Sequence, residues 1–129
     1  MAGTCTVTRD DKGIVAKWQG DWVADGAGDA TQTMNLCGEL NRFVTVPSDI
    51  LVPLDNYNVT LLDANGMDVL QGLGLLRDQT NIEQDLPNLN GVPISVEGVH
   101  TLTVDTAGDS NAGQFTIYLR QTDPVVHRG

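Results

Sequence analysis

Alternating apolar and polar residues, repeated in several short stretches, constrain the fold of this chain more than any other sequence feature. The pattern is clear in Tyr57–Leu62, in Thr101–Thr106 and in Phe115–Arg120, where large apolar residues recur at every second position. Successive side chains of a β-strand point to opposite faces, so a period of two indicates a strand with one buried face. These stretches therefore predict half-buried strands.

A turn signal, the letters DANG, follows the first of these stretches at residues 63–66. Two hairpin registers compete there. A two-residue turn would set Asp63 opposite Asp68, and like charges directly opposite each other are unfavourable. A type I turn with Gly66 left-handed instead sets Leu61 opposite Val69, and this is the register that we predict.

The remaining strands are assigned by the same pattern, in chain order. Thr4–Thr8 predicts a short strand that ends before a turn at residues 10–13, and Ile14–Trp22 predicts a longer one with Gly20 as a candidate bulge. Thr31–Pro47 fits both helical and strand spacing, but Gly38 disfavours a helix. We predict either two strands that meet near residues 38–39 or one bent strand. Val92–Val96 predicts a further strand, separate from that at His100.

About eight short strands at hairpin-like spacing indicate an all-β protein. We predict a single domain, residues 1–129, with short N-terminal and C-terminal arms. Its 14 glycines fit strands joined by tight turns. The architecture is expected to be a β-sandwich or a small barrel, with a jelly roll among the forms considered.

One long segment, Leu73–Gly91, shows neither a strand nor a helix pattern. Compact domains seldom contain such long loops without a role. The segment is rich in leucine, and apolar surface is costly to leave in water. Two interpretations stay open: a surface loop held against the fold by its leucines, or an arm that contacts a partner.

Charge and motifs exclude several function classes. The formal net charge is −10, with 17 acidic residues against 7 Lys and Arg, which argues against binding to nucleic acid or to an anionic membrane. The N-terminus lacks the pattern of a signal peptide, and no apolar run reaches the length of a membrane helix. We therefore expect Cys5 and Cys37 to be two buried thiols rather than a disulfide.

No stretch of the sequence predicts a catalyst or a cofactor. It contains none of the common phosphate-binding, dinucleotide-binding, zinc or nucleophile motifs, and the acidic loop at residues 24–30 lacks the ligand spacing of a calcium loop. We expect neither an enzyme nor a bound metal or cofactor. Trp18 and Trp22 fit either a core or subunit-interface role or a carbohydrate-stacking platform.

The hairpin segment and the C-terminal strands resemble small proteins encoded among the virion-structure genes of tailed bacteriophages. The residues that carry the resemblance are Asp55-Asn56-Tyr57, Val59–Asp63, Gly66, Asp68–Leu70, Gly72, Gly74, Arg77-Asp78, Leu102–Val104, Ala107-Gly108 and Ile117–Arg120. They cover roughly the C-terminal half of the chain and are mostly turn and strand positions. The resemblance therefore identifies a fold family better than an activity.

The resemblance implies a structural virion protein, and within that class the chain is most like a head decoration (cement) protein. Such a protein would be made in the host cytoplasm and bind the major capsid protein on the outer surface of the capsid. It would associate with itself, with a trimer favoured, and stabilise the head across subunit junctions. The candidate partner contacts are Leu73, Leu75, Leu76, Arg77, Leu86, Leu89, Val125 and Val126. The alternatives are a neck, tail or fibre-associated virion component and a carbohydrate-binding module.

Overall fold

The computed structural model describes residues 3–85, 88–89 and 92–121, and within this part of the chain every regular element is a β-strand. The strands are β1 (Thr4–Lys12), β2 (Val15–Val23), β3 (Ala30–Pro47), β4 (Asn58–Leu62), β5 (Glu83–Asp85), β6 (Asn88–Leu89), β7 (Val92–Asp105) and β8 (Ala112–Arg120). The all-β prediction is therefore confirmed.

The strands form one antiparallel sheet in the order β1-β2-β8-β3-β7-β4, with β5 beside β3 and β6 beside β7. The sheet is not closed into a barrel, so the barrel form is excluded for the described residues. Distant parts of the sheet nevertheless meet, because the ring centroids of Trp22, on β2, and Tyr57, just before β4, lie 5.6 Å apart. The sheet folds over on itself like a sandwich and encloses one core.

The 18-residue strand β3 makes this fold possible. Its first part, Ala30–Leu40, pairs with β7, and its second part, Glu39–Pro47, pairs with β8. The register shifts between Leu40 and Arg42, and a strand that changes neighbours at such an irregularity forms the corner of a folded sheet. Gly38 is needed there because its φ is +140°. The bent-strand form of the prediction is the correct one.

The core contains the residues that the alternation placed on the inner face. Tyr57, Val59 and Leu61 are fully buried, as are Phe115 and Ile117. Among the described residues, nineteen buried hydrophobic residues from β2, β3, β4, β7, β8 and their connections form one cluster. These strands mostly contribute one apolar face, as a period of two requires, although β3 buries the successive residues Phe43, Val44 and Thr45.

The predicted hairpin register is confirmed. The N–H of Gly66 donates to the carbonyl of Asp63 over 3.0 Å, Gly66 has a φ of +82°, and the N–H of Val69 donates to the carbonyl of Leu61 over 2.8 Å. The Asp63 carboxylate also accepts the N–H of Met67, which fixes the turn. The second arm is not a strand, however, because the chain turns away at residues 69–74.

Three boundaries differ from the sequence prediction. Ile14 is half-exposed in a turn rather than inward-facing in a strand, because β1 continues to Lys12 and pairs with Val15 across a two-residue connection. The strand predicted at Val92–Val96 continues through Gly98 to Asp105 as one element, β7. Alternation alone cannot distinguish two collinear strands from one long strand interrupted by a glycine.

The predicted bulge at Gly20 is wrong, since the pairing of β2 is continuous with both neighbours. Gly20 lies directly opposite Phe115 on β8. A Cβ atom at residue 20 would lie 2.3 Å from Cε2 of the Phe115 ring, which is fully buried. The glycine is therefore present because the aromatic ring occupies the space above it.

The segment predicted as one long loop, residues 73–91, contains two short strands. β5 pairs with Phe43–Thr45 of β3, and β6 pairs with Val92 and Pro93 of β7. Strands of three and two residues carry too little periodicity to be seen in a sequence. Within the described residues, the segment thus consists of residues 73–82, which form no strand, and the two short strands that follow them.

We predict that Gly20→Ala lowers the free energy of unfolding by about 1–3 kcal/mol, because the added methyl group overpacks a core that cannot yield. Urea unfolding of both the variant and the parent protein measures the difference. The matched control is Gly26→Ala, since a Cβ atom at residue 26 meets nothing within 4 Å. Equal stability of the two variants would contradict the packing explanation for Gly20.

Candidate functional site

Arg77 is the most unusual residue of the structure because its side chain is buried although it is charged; the residue is only 2% exposed. Its Nε donates to Oγ1 of Thr45 over 2.9 Å, and its Nη1 donates to the carbonyl oxygen of Leu73 over 2.8 Å. Nη1 also forms an ion pair with Asp85, and Glu83 lies 3.5 Å from Nε. Through these contacts, the Arg77 side chain joins strands β3 and β5 to Leu73, in the segment that precedes Arg77.

Adjacent Arg77 and Asp78 are compatible with either a local ion pair or a turn, and the structure shows the turn. The partners of Arg77 are the carboxylates of Glu83 and Asp85, on β5. The Asp78 carboxylate instead accepts the backbone N–H groups of Thr80 and Asn81, and these hydrogen bonds lower its pKa. It therefore forms a turn and leaves Arg77 to the strands.

Two aromatic residues also lie near the Arg77 side chain. Its guanidinium carbon lies 5.9 Å from the centre of the Phe43 ring, a cation–π distance. The buried Tyr57 hydroxyl is close to Thr45 without making a well-formed hydrogen bond, and burial raises its pKa against the opposing effect of Thr45 and of the Arg77 charge. Nη2 of Arg77 has no acceptor among the described residues. A charge in such a place requires its carboxylate partners.

The backbone on either side of Arg77 covers the free edge of β4. The N–H of Arg77 donates to the carbonyl of Tyr57 over 2.7 Å, and the N–H of Val59 donates to the carbonyl of Gly74 over 2.8 Å. The amide oxygen of Asn58 accepts the N–H of Leu76. Residues 74–77 therefore lie along β4 as an added edge, which hides its unpaired backbone groups.

The turns before this edge are organised by Asp68. Its carboxylate accepts the N–H groups of Leu61, Leu70 and Gly72 over 3.0–3.1 Å. Leu70 is fully buried and fastens the turns to the core. Residues 68–77, which we call the leucine loop, are thus held at both ends.

The leucine loop presents Leu73, Leu75 and Leu76 to solvent, and we call these three residues the leucine patch. Leu76 is 67% exposed and has a φ of +56°. A left-handed conformation costs a bulky residue about 1–2 kcal/mol, and Gly or Asn would avoid most of that cost. The loop is held to the fold by Leu70, Gly74 and Arg77. The interpretation that its leucines hold it against the fold is therefore wrong for the three leucines of the patch.

The side chains of the other four predicted contact residues lie outside the described part of the structure. Leu86, Val125 and Val126 lie outside the described residues, as does the predicted C-terminal arm, and only the backbone of Leu89 is described, in β6. The structure therefore places four of the eight predicted contacts, Leu73, Leu75, Leu76 and Arg77, in one loop. In that loop Arg77 anchors the backbone, whereas the leucines are available to a partner.

The sequence analysis missed a second exposed apolar segment, residues 50–54, which we call the apolar strap. Ile50 is 85% exposed, and Leu51, Val52 and Leu54 are also exposed. The strap is fixed by backbone hydrogen bonds from Ala112 to Leu51 and from Leu54 to Ala107. In the sequence, the strap is recognisable as an apolar run between two prolines that does not alternate with polar residues. Such a run does not match a strand with one buried face.

The two tryptophans do not form an exposed platform. Trp22 is 1% exposed and belongs to the core. Trp18 is half-buried, and the guanidinium carbon of Arg9 lies 5.4 Å from the centre of its ring. Carbohydrate stacking needs open aromatic faces, so this arrangement disfavours the carbohydrate-binding alternative.

Both cysteines are free, but the expectation that both are buried is wrong, because only Cys5 is partly shielded. Cys5 is half-buried, and burial, together with the negative charge of Asp21, raises its pKa to about 11. Cys37 is exposed. Among the described residues, no group of three or more His, Cys, Asp or Glu side chains is arranged to hold a metal ion, and no helix is long and apolar enough to cross a membrane.

Comparison of the chain with models of known protein families, with characterised proteins and with solved structures found no match. The case for a function therefore depends on the exposed surfaces and on the resemblance carried by the residues of the hairpin and of the C-terminal strands.

We predict that Arg77→Met lowers the free energy of unfolding by about 3–5 kcal/mol, because the change leaves the Asp85 carboxylate without its buried partner. The measurement is urea unfolding followed by tryptophan fluorescence. Arg9→Met is the matched control, since Arg9 also lies over an aromatic ring and pairs with Asp11 but is exposed. Its loss should be about 1 kcal/mol or less.

A small and equal loss in both variants would show that the buried network does not hold the loop.

Proposed function

We propose that this protein is a structural component of a tailed-phage particle that binds the outer surface of the capsid and stabilises the head across subunit junctions. It acts by binding alone and needs no cofactor. Its partners are the major capsid protein and further copies of itself, with a trimer as the expected assembly. The proposal combines the resemblance of the hairpin and C-terminal strands with one structural observation, the leucine patch.

The leucine patch supports a binding role because keeping its side chains exposed costs free energy. Leu76 keeps a strained backbone and an apolar side chain in water, although a glycine or asparagine would relieve both. Strain of this kind persists where the surroundings enforce it and function uses it. The Arg77 network enforces it by fixing the backbone at both Leu73 and residue 77.

A patch of three leucines suits a repeated, shallow contact better than a deep pocket. Burying one leucine side chain contributes about 1.5–3 kcal/mol, which is modest for a single binding event. Across a capsid lattice, and within an oligomer, many such contacts act together and raise the overall affinity. Because the loop is held before binding, little conformational entropy is lost on docking.

We predict that Leu76→Asn weakens binding to heads by about tenfold, in line with the lost burial of one leucine. Because asparagine adopts a positive φ more readily, the variant should be as stable as the parent protein or more stable. Heads of the phage that encodes the protein, prepared without it, are mixed with each variant and sedimented. Bound protein is then quantified.

Met67→Asn is the matched control because Met67 is about as exposed as Leu76 but lies in the hairpin turn without a positive φ. It should bind like the parent protein. Loss of binding in both variants, or in neither, would contradict a specific role for the leucine patch. If the parent protein binds tails and not heads, the neck, tail or fibre alternative replaces the capsid proposal.

A further inference from the structure

A trough crosses four adjacent segments on the outer face of the sheet. Asp21 of β2 pairs with Gln114 of β8, which pairs with Val46 of β3. Since Thr45 pairs with Glu83 of β5, the next residue on that side, Ile82, comes beside Val46. The side chains of this row share one face of the sheet because strand residues in register point the same way.

A second row runs parallel to the first, two residues away along each strand. Val23 pairs with Ala112 of β8, and Ser48 donates its N–H to the carbonyl of Ala112 over 3.1 Å. Between the rows lies Gly113, which has no side chain and is buried. The two rows therefore form the walls of the trough.

The resulting trough has a volume of about 590 Å³. Its residues include Val23, Val46, Pro47, Ile82 and Ala112 as apolar surface, with Ser48, Thr80 and Gln114 as polar groups. Ile82 is 66% exposed, so one apolar wall has no cover within the described part of the chain. A volume of this size holds a partner side chain together with some backbone.

The charges that line the trough are all negative. Asp21 and Asp49 are its only titratable residues among those described, and both are exposed at the rim. Two carboxylates without a cation among the lining residues favour an occupant that carries a positive charge. Long cationic side chains also bury an aliphatic stem against apolar walls while the charged end stays near water.

We propose that this trough receives a lysine or arginine side chain from a loop of the partner protein. The proposal rests on the proposed function and names the chemistry of the partner. The stem of the side chain lies against Val46 and Ile82, and its charged end pairs with Asp21 and Asp49. Ile50 of the apolar strap, next to Asp49, extends the contact beyond the trough.

The test titrates the full chain with acetyl-Gly-Arg-Gly-amide and follows its backbone amides by NMR. We expect the amides of Gly113 and Gln114 to shift. The same peptide with norleucine in place of arginine should bind about tenfold more weakly, because it keeps a stem but lacks the charge. Tryptophan fluorescence provides a second readout, since Trp22 is among the residues that line the trough.

The double variant Asp21→Asn, Asp49→Asn should lose the preference for arginine over norleucine. Glu97→Gln is its control, because Glu97 is an exposed carboxylate of β7 outside the trough. Equal binding of both peptides to the parent protein, or shifts confined to other surfaces, would overturn the trough proposal. Head binding that depends on Leu76 but not on Asp21 and Asp49 would also overturn it, while leaving the proposed function intact.

Discussion

The buried guanidinium of Arg77 is the constraint on which the candidate surface depends. A positive charge in this interior is stable only with its carboxylate partners, and those partners belong to β5, which is itself paired with β3. The same guanidinium holds the carbonyl of Leu73, while its backbone pairs with Tyr57. One side chain thus fixes the leucine loop in place, and the loop in turn covers the edge of β4.

This arrangement explains why the leucines point outward. A loop held by leucines would bury them, whereas here the polar contacts of Arg77 and the carboxylate of Asp68 secure the backbone. The apolar side chains are left without an internal role, and Leu76 even accepts a left-handed backbone. Holding a loop by polar contacts frees its apolar residues for binding a partner.

Two surfaces of different character follow from the same sheet. The leucine patch is apolar and lies on a loop, whereas the trough is acidic at its rim and lies on the regular outer face of β2, β8 and β3. An apolar contact contributes affinity, and a charged one contributes register and a choice of partner. Under the proposed function, a protein with a net charge of −10 that docks in one orientation would gain from having both.

Much of the fold could be predicted from the sequence because burial on one face imposes a period of two. Val59, Leu61 and Ile117 were placed inward on that basis, and the turn at Gly66 set the hairpin register. The pattern failed where burial does not follow residue type. An arginine is usually exposed, so nothing local to Arg77 indicated that it would be buried against partners on a strand of only three residues.

The outer-face trough was also beyond prediction from the sequence. Its walls come from residues far apart in the chain, such as Asp21, Val46 and Gln114, and only the strand order brings them together. By contrast, the leucines of residues 73–76 were recognisable as candidate contacts because apolar residues in a long loop need a partner surface. Whether they face the core or solvent depended on the Arg77 network.

The most direct test of the proposed role is cryo-electron microscopy of heads decorated with this protein. The expected map shows regular density on the outer capsid surface, with the leucine patch buried against a capsid subunit. Density confined to the neck or tail, or a head-bound protein whose leucine patch faces solvent, would contradict it.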